Sequence, residues 1–227
     1  MEAPTTGVRD TLFPKRGVSA TEVLLAANML VAAVLFAAWG QEYLPNLRQW
    51  AVEGWQAVRG HRAYAWFLPT LFLHAGPAHL ASNMTALLAA AGTVEFLCGG
   101  GWTIAAYLVT GFGAAWVSYT GHGAPPLSVG ASGAIFGLLG CALSFVIRRR
   151  RMFNYAKRWK VWRVYVPLFI LLFVPAIVNA DVHAHAGGFA CGLVVGLLLP
   201  PHARIAYLGA IDSLSDEAPE SPGARRE

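Results

Sequence analysis

Long apolar blocks alternate with short polar stretches along most of the chain. Mostly apolar runs occupy six stretches, at residues 23–39, 78–97, 102–119, 130–147, 164–178 and 183–199. A helix needs roughly 20 such residues to cross the hydrocarbon of a bilayer. The pattern therefore predicts an all-α membrane protein with six spanning helices, the fifth of which is short and contains Pro167 and Pro175.

The segments between these blocks carry signals of their own. The run Gly99-Gly100-Gly101 predicts a turn between the second and third helices, and Pro200-Pro201 ends the sixth. We interpret the first block as a retained span and not a signal peptide, because its apolar run is long and no convincing cleavage site precedes Gln41. Residues 41–69 mix aromatic and charged side chains, which predicts a partly helical loop at the membrane surface.

Three regions follow from this division of the chain. Residues 1–18 are expected to be a cytoplasmic N-terminal segment, and residues 19–203 a six-helix domain that includes the interfacial loop. Residues 204–227 are expected to form a cytoplasmic tail. That tail is acidic and rich in Pro and Ser beyond Ile211, a composition typical of disorder.

Composition and charge agree with a membrane location. Hydrophobic residues make up 56% of the chain and charged residues 13%, about half the charged share of a typical soluble domain. The formal net charge of +5 does not suggest nucleic acid binding, because eight of the seventeen basic residues lie in one short loop between the fourth and fifth blocks. The three cysteines all lie in or beside apolar blocks, which favours core residues over disulfides or a zinc site.

The distribution of Lys and Arg orients the six helices. Fourteen of the seventeen lie on the side that holds both termini, and the other three are Arg48, Arg59 and Arg62. The positive-inside rule then predicts a multi-pass protein of a bacterial inner membrane with both termini in the cytoplasm. In this orientation His79, Ser132 and His185 all lie near the outer face, at the start of the second, fourth and sixth helices.

Ser132 is the candidate nucleophile among these residues. A lone serine in a membrane helix is most often a packing residue. Its place at a helix start changes that interpretation, because free backbone N–H groups there can hold a developing oxyanion. Gly130 and Gly133 leave room for a substrate carbonyl, whereas Ala134 excludes the Gly-x-Ser-x-Gly turn of a nucleophile elbow.

Helix phase selects the base. His183 and His185 are roughly 200° apart on a helix, so only one can face Ser132. His185 shares its face with Gly188, Gly192 and Gly196, and the fourth helix carries a matching stripe of Gly133, Gly137, Gly140 and Ser144. Packing of the two stripes would bring His185 to Ser132. His183 is interpreted as a polar residue at the interface.

Three further polar residues complete the candidate site. Asp181, four residues before His185, could be a third member of a triad, but it is a better N-cap for the sixth helix, so we predict a Ser–His dyad. His79 and Asn83 are four residues apart on one helix face and could donate to an oxyanion. His74 precedes the helix and is expected to be a loop or capping residue.

These motifs together resemble the rhomboid family of intramembrane serine proteases. The matching residues are His79 and Asn83 in His-x-x-x-Asn, Gly130 to Gly133 in Gly-x-Ser-Gly, and Ala184 to Gly188 in Ala-His-x-Gly-Gly. The sequence before the second helix, residues 72–76, and Gly92-x-x-Glu95 near its end are also similar. The resemblance implies a rhomboid-like bundle with a water-filled cavity. It also implies cleavage of single-span membrane-protein substrates by Ser132 and His185, oxyanion stabilisation by His79 and Asn83, and no cofactor.

Two positions depart from the family pattern, and alternatives remain. Ala65-Trp66 stands where many relatives have Trp-Arg, and Phe136 stands where many have Tyr, although Phe can still stack on His185. A proteolytically inactive scaffold that binds membrane clients is the main alternative. A histidine metal site and a transporter are weaker ones, because the sequence has no His-Glu-x-x-His, no second set of paired mid-membrane polar residues and no repeat symmetry. Oligomeric state and substrate identity do not follow from the sequence.

Overall fold

The part of the chain that the structure describes is all-helical. The computed structural model describes residues 17–122, 129–149 and 181–202, and no strand occurs among them. Its helices are α1 Ala20–Trp39, α2 Tyr43–His61, α3 Phe67–Thr70, α4 Pro77–Cys98, α5 Gly100–Gly121, α6 Ser132–Arg148 and α7 Val182–Leu198. The predicted fifth span at 164–178, the basic loop before it and both terminal segments lie outside the described residues.

Five of the six predicted blocks correspond to helices whose ends differ from the prediction by a few residues. The correction is at the turn Gly99-Gly100-Gly101. Only Gly99, with φ +90°, lies outside a helix, and α5 already begins at Gly100. One glycine with positive φ reverses the chain here, so the next two can continue as helix.

The segment after α1 is more regular than the sequence suggested. Helix α2 runs for 19 residues and buries Tyr43, Leu47, Gly54 and Val58, which recur at helical spacing on one face. Its C-cap is Arg62 in the left-handed region, with φ 55°. The predicted partly helical loop is therefore a long amphipathic helix followed by short helical turns.

Helix α6 forms the centre of the bundle. All but one of residues 133–146 are buried, and α4, α5 and α7 pack around them. A helix that is apolar on every side is typical of a protein core or of a membrane span. Ser132, the first residue of α6, therefore lies at the end of the most deeply buried helix among the described residues.

Close contact between α6 and α7 depends on the two predicted stripes of small residues. A Cβ at Gly188 would overlap the carbonyl of Gly133, and a Cβ at Gly192 would overlap that of Gly137. Further along, a Cβ at Gly196 would meet Cys141 and Ser144. The predicted packing of the two stripes is confirmed, and it fixes the register of α7 against α6.

Glu95 ties the end of α4 to the start of α1. Its carboxylate accepts hydrogen bonds from the backbone N–H of Ala20 (2.8 Å) and of Thr21 (2.9 Å), and from the Thr21 hydroxyl (2.6 Å). A negative charge at a helix N-terminus satisfies free N–H groups and complements the helix dipole. This contact gives the Gly92-x-x-Glu95 motif a structural role away from the candidate site.

Two helical stretches among the described residues are long and apolar enough to cross a bilayer by length and composition. They are Ala20–His61, which includes α1 and α2, and Pro77–Cys98. Helices α6 and α7 are also apolar but have 17 residues each. At 1.5 Å per residue, 17 residues span about 26 Å, slightly less than a typical hydrocarbon core of about 30 Å.

Candidate active site

Ser132 and His185 lie in direct contact at one end of the bundle. The Nε2 atom of His185 is 2.8 Å from the Oγ atom of Ser132. Helix α6 begins at Ser132, and His185 lies in the first turn of α7. The stripe packing places the two helix starts side by side, so the dyad geometry follows from the glycines of both helices. Nε2 is positioned to accept the serine proton when the imidazole is neutral.

Phe136 stacks against the face of the His185 imidazole. Its ring lies 4.4 Å from the His185 ring, centroid to centroid, with an interplanar angle of 26°. Phe136 is one turn after Ser132 on α6 and is buried. The predicted stacking is confirmed, so replacing the usual Tyr by Phe keeps the contact that orients His185.

His79 and Asn83 lie together beside Gly130, in the loop that leads into α6. A Cβ at Gly130 would lie 2.8 Å from Cε1 of His79 and 3.2 Å from Nδ2 of Asn83. Gly130 has φ +122°, which side-chain-bearing residues rarely adopt, and its N–H donates to the carbonyl of Thr70 (2.8 Å). Glycine is thus required here by both backbone conformation and space.

Asn83 offers a free donor at this place. Its side chain is buried, and Nδ2 has no hydrogen-bond partner within the described residues. A buried amide without a partner is costly, and such a group calls for a specific explanation. His79 is half-buried, and its Nδ1 accepts a hydrogen bond from the N–H of Ala75 (3.2 Å). That bond leaves Nε2 as the protonated ring nitrogen and therefore a donor.

His74 supports this corner from the loop before α4, as predicted. It is fully buried, its Nδ1 lies 3.2 Å from the carbonyl of Phe72, and its ring is 5.5 Å from that of His79. The hydroxyl of Tyr43 donates to the His74 carbonyl. Burial, together with the neighbouring His79, lowers the pKa of His74 from 6.5 to about 4. His74 is therefore neutral near pH 7 and adds no charge beside His79.

Asp181 caps α7, as the sequence predicted. Its Oδ1 accepts the N–H of Ala184 (3.0 Å), and its carboxylate also accepts the hydroxyl of Ser118. His183 is exposed and lies against His122, with ring centroids 4.6 Å apart. The two histidines of α7 thus face different partners, as helix phase requires.

An open cleft lies away from the dyad, between α2, α3 and α5. No imidazole or carboxylate is among the described residues that line it. Its lining residues are mostly aromatic or small: Trp50, Ala51, Gly54, Trp55, Val58, Trp66, Phe67, Thr70, Ala115, Ser118 and Tyr119. Since a hydrolytic site needs a nucleophile with a base, we assign the candidate chemistry to the Ser132 cluster and not to this cleft.

Sequence reasoning missed Ser118 and His122, which pack against Asp181 and His183. Both lie at the end of α5, and the predicted topology puts that end at the same level as the start of α7. The shared level of the two helix ends could have suggested that these residues lie near one another. The specific contacts could not be anticipated, because they depend on how α5 is rotated against α7.

Comparison with known protein families identifies the class of protein. The rhomboid domain family model matches residues 61–202, which is more than half of the chain and contains every residue of the candidate site. The chain therefore belongs to the rhomboid family, which is membrane-embedded and includes serine proteases.

Two curated relatives are similar over part of their length. Rhomboid protease GluP of Bacillus subtilis (strain 168) is 41% identical over 86 residues, which is 38% of this chain and 17% of GluP. RHOMBOID-like protein 5 of Arabidopsis thaliana is 37% identical over 107 residues, 46% of this chain and 34% of that protein. The match thus spans only about a sixth and a third of these two relatives.

Proposed function

We propose that this chain is a rhomboid-type serine endopeptidase that cleaves membrane proteins with a Ser132–His185 dyad. The observation that carries the proposal is the 2.8 Å contact between Ser132 Oγ and His185 Nε2, made across two separate helices. A packing serine would typically bond to a carbonyl of its own helix, as Ser144 does to Cys141 (3.3 Å). Membership of a family that includes proteases supports the same function.

In the proposed reaction Ser132 attacks the scissile carbonyl while His185 takes its proton. The tetrahedral intermediate collapses as the imidazolium returns that proton to the leaving amine, and an acyl-enzyme remains. Water then attacks the ester with His185 again as base, which releases the acid product and regenerates the serine. No acid is assigned, because the carboxylate of Asp181 is engaged by Ser118 and by the N–H of Ala184.

The negative charge of the intermediate needs donors near Ser132. We assign this role to the free N–H groups at the start of α6 and to the side chains of Asn83 and His79. Asn83 supports the assignment because Nδ2 is buried and unpaired among the described residues. Gly130 lies against both side chains and is two residues before Ser132, so any other residue there would displace the proposed donors.

The proposed setting is a bacterial inner membrane, crossed six times, with both termini in the cytoplasm and the dyad near the outer face. Substrates would be single-span membrane proteins cut in or near their spanning segment. The Lys and Arg distribution supports this orientation. The apolar length of Ala20–His61 and Pro77–Cys98 supports membrane insertion.

A cleavage assay tests the proposal. Purified full-length protein in liposomes should cleave a model single-span substrate, and Ser132→Ala or His185→Ala should reduce turnover to background, by at least roughly a thousandfold. Ser144→Ala, a buried serine on the same helix, and His183→Ala, two residues from the base, are matched controls that should keep activity. Cleavage by purified Ser132→Ala at the wild-type rate would contradict the proposal.

The alternative of an inactive membrane scaffold predicts a different result. Wild-type protein would then bind single-span clients without cutting any of them, and Ser132→Ala would bind equally well. The hydrogen-bonded dyad favours the enzyme, since a scaffold has no need of a base beside its serine.

A further inference from the structure

A second cluster of polar side chains lies at the same end of the bundle and does not belong to the proposed dyad. It consists of His122, after the last turn of α5, and of Asp181 and His183 at the start of α7. One potential ligand atom from each residue lies within 4.8 Å of the other two. The Nε2 atom of His122 is 3.9 Å from Oδ1 of Asp181.

The surroundings of the cluster already orient two of the three groups. The Nδ1 atom of His122 lies 3.3 Å from the carbonyl of Ser118, which leaves Nε2 facing Asp181. The Ser118 hydroxyl donates to Oδ2 of Asp181, so Oδ1 is the oxygen that faces His122. Histidines that bind metals typically bond their second ring nitrogen to a carbonyl or carboxylate in this manner, and ligating carboxylates are themselves hydrogen-bonded.

His183 is held near the other two by the shape of α5. Its ring lies over Gly121, where a Cβ would be 3.0 Å from Nε2 and closer still to other ring atoms. The residue is exposed, so its side chain can rotate towards the cluster. Tetrahedral coordination at about 2.0–2.1 Å would bring ligand atoms to about 3.3 Å from each other. The His122–Asp181 pair, now 3.9 Å apart, would close by roughly 0.6 Å, and the widest separation, at most 4.8 Å, by up to roughly 1.5 Å.

From these contacts we infer that His122, Asp181 and His183 form a binding site for a divalent transition metal ion, with Zn²⁺ as the best fit. Two imidazoles and one carboxylate are a ligand set that suits Zn²⁺, and water would take the fourth position. The site joins the end of α5 to the start of α7 and takes no part in peptide hydrolysis. Its expected effect is to stabilise the folded bundle, because a ligand bound only by the native state shifts unfolding.

Metal titration of the full-length protein tests the site. The protein is purified in detergent without a polyhistidine tag, stripped with chelator and titrated with Co²⁺, whose visible absorption reports tetrahedral coordination. One equivalent should bind and be displaced by Zn²⁺. His122→Ala and His183→Gln should each weaken binding at least about tenfold. His61→Ala, an exposed histidine at the end of α2, should leave binding unchanged.

Thermal unfolding gives a second reading that does not depend on proteolysis. Zn²⁺ should raise the unfolding temperature of wild-type protein and of Ser132→Ala by a few degrees, and should not raise that of His122→Ala/His183→Gln. Both measurements test the metal site whether or not the chain cleaves a substrate. Absence of saturable Co²⁺ binding in the wild type, or equal binding by the double variant, would overturn the inference.

Discussion

Individual side chains at the dyad end of the bundle make distinct contacts. His185 meets Ser132 at 2.8 Å and stacks on Phe136, whereas His183 lies over Gly121 beside His122. The separation follows from the roughly 200° between positions two apart on a helix. Sequence alone could therefore choose between the two histidines as partner of Ser132.

Other features of individual residues could not be predicted from the sequence. The lack of a partner for Asn83 Nδ2 among the described residues is visible only once its neighbours are known, and so is the positive φ of Gly130. Asn28 gives a second example, since it donates to the carbonyl of Leu24 and the hydroxyl of Tyr107 inside the bundle. A lone amide in an apolar block does not reveal a partner 79 positions away.

Loss of a proposed oxyanion donor should affect turnover more than substrate binding. Asn83→Ala should lower kcat by roughly ten- to a thousandfold with little change in KM, because its amide would bond the charge that develops in the transition state. The measurement is steady-state cleavage in liposomes. Ser82→Ala, at the neighbouring exposed position, is the control. A normal kcat for purified, folded Asn83→Ala would remove Asn83 from the proposed mechanism.

At the level of elements, the glycine stripes determine which parts of α6 and α7 meet. The stripes were predictable because small residues recur at helical spacing on both helices and only one alignment brings them together. The continuation of α5 to Gly100 and the full length of α2 were not predictable, because triple glycine and mixed polarity both favour loops. In each case tertiary packing outweighs local propensity.

A larger residue in the stripe should therefore separate the helices and disable the site. Gly192→Val would place two methyl groups against the backbone of Gly137, and overpacking of this kind costs about 1–3 kcal/mol or more. We expect a lower unfolding temperature and loss of cleavage together. Ala190→Val adds similar volume at an exposed position of the same helix and should change neither. Unchanged activity in Gly192→Val would show that the dyad does not depend on this packing.

At the scale of the whole molecule, the proposed orientation in the membrane places the dyad near the outer face, where substrates would reach it. Fourteen of seventeen basic residues lie on the side opposite the dyad in the six-span interpretation. The orientation rests on this charge distribution, since the basic loop itself lies outside the described residues. The proposed orientation requires the end of α2 and the start of α5 to be on opposite sides of the membrane.

Two exposed glycines with open space around them make that orientation measurable. Gly60 lies at the end of α2 and Gly101 in the first turn of α5, and a Cβ at either position would meet no atom within 4 Å. In right-side-out vesicles of a chain without its three native cysteines, a membrane-impermeant maleimide should label Gly60→Cys at once. Gly101→Cys should be labelled only after permeabilisation. Rapid labelling of Gly101→Cys in sealed vesicles would show that the orientation is the opposite of the proposed one.

A serine-directed fluorophosphonate tests whether Ser132 is a reactive nucleophile. A nucleophilic serine beside a base reacts with this probe, whereas a serine that only packs a helix does not. Full-length protein should be labelled at Ser132, as mapped by peptide mass spectrometry. Labelling should be strongly reduced in His185→Ala and retained in Ser144→Ala. Undiminished labelling of Ser132→Ala, or no labelling of the folded wild type, would contradict the proposed role of Ser132 as the nucleophile.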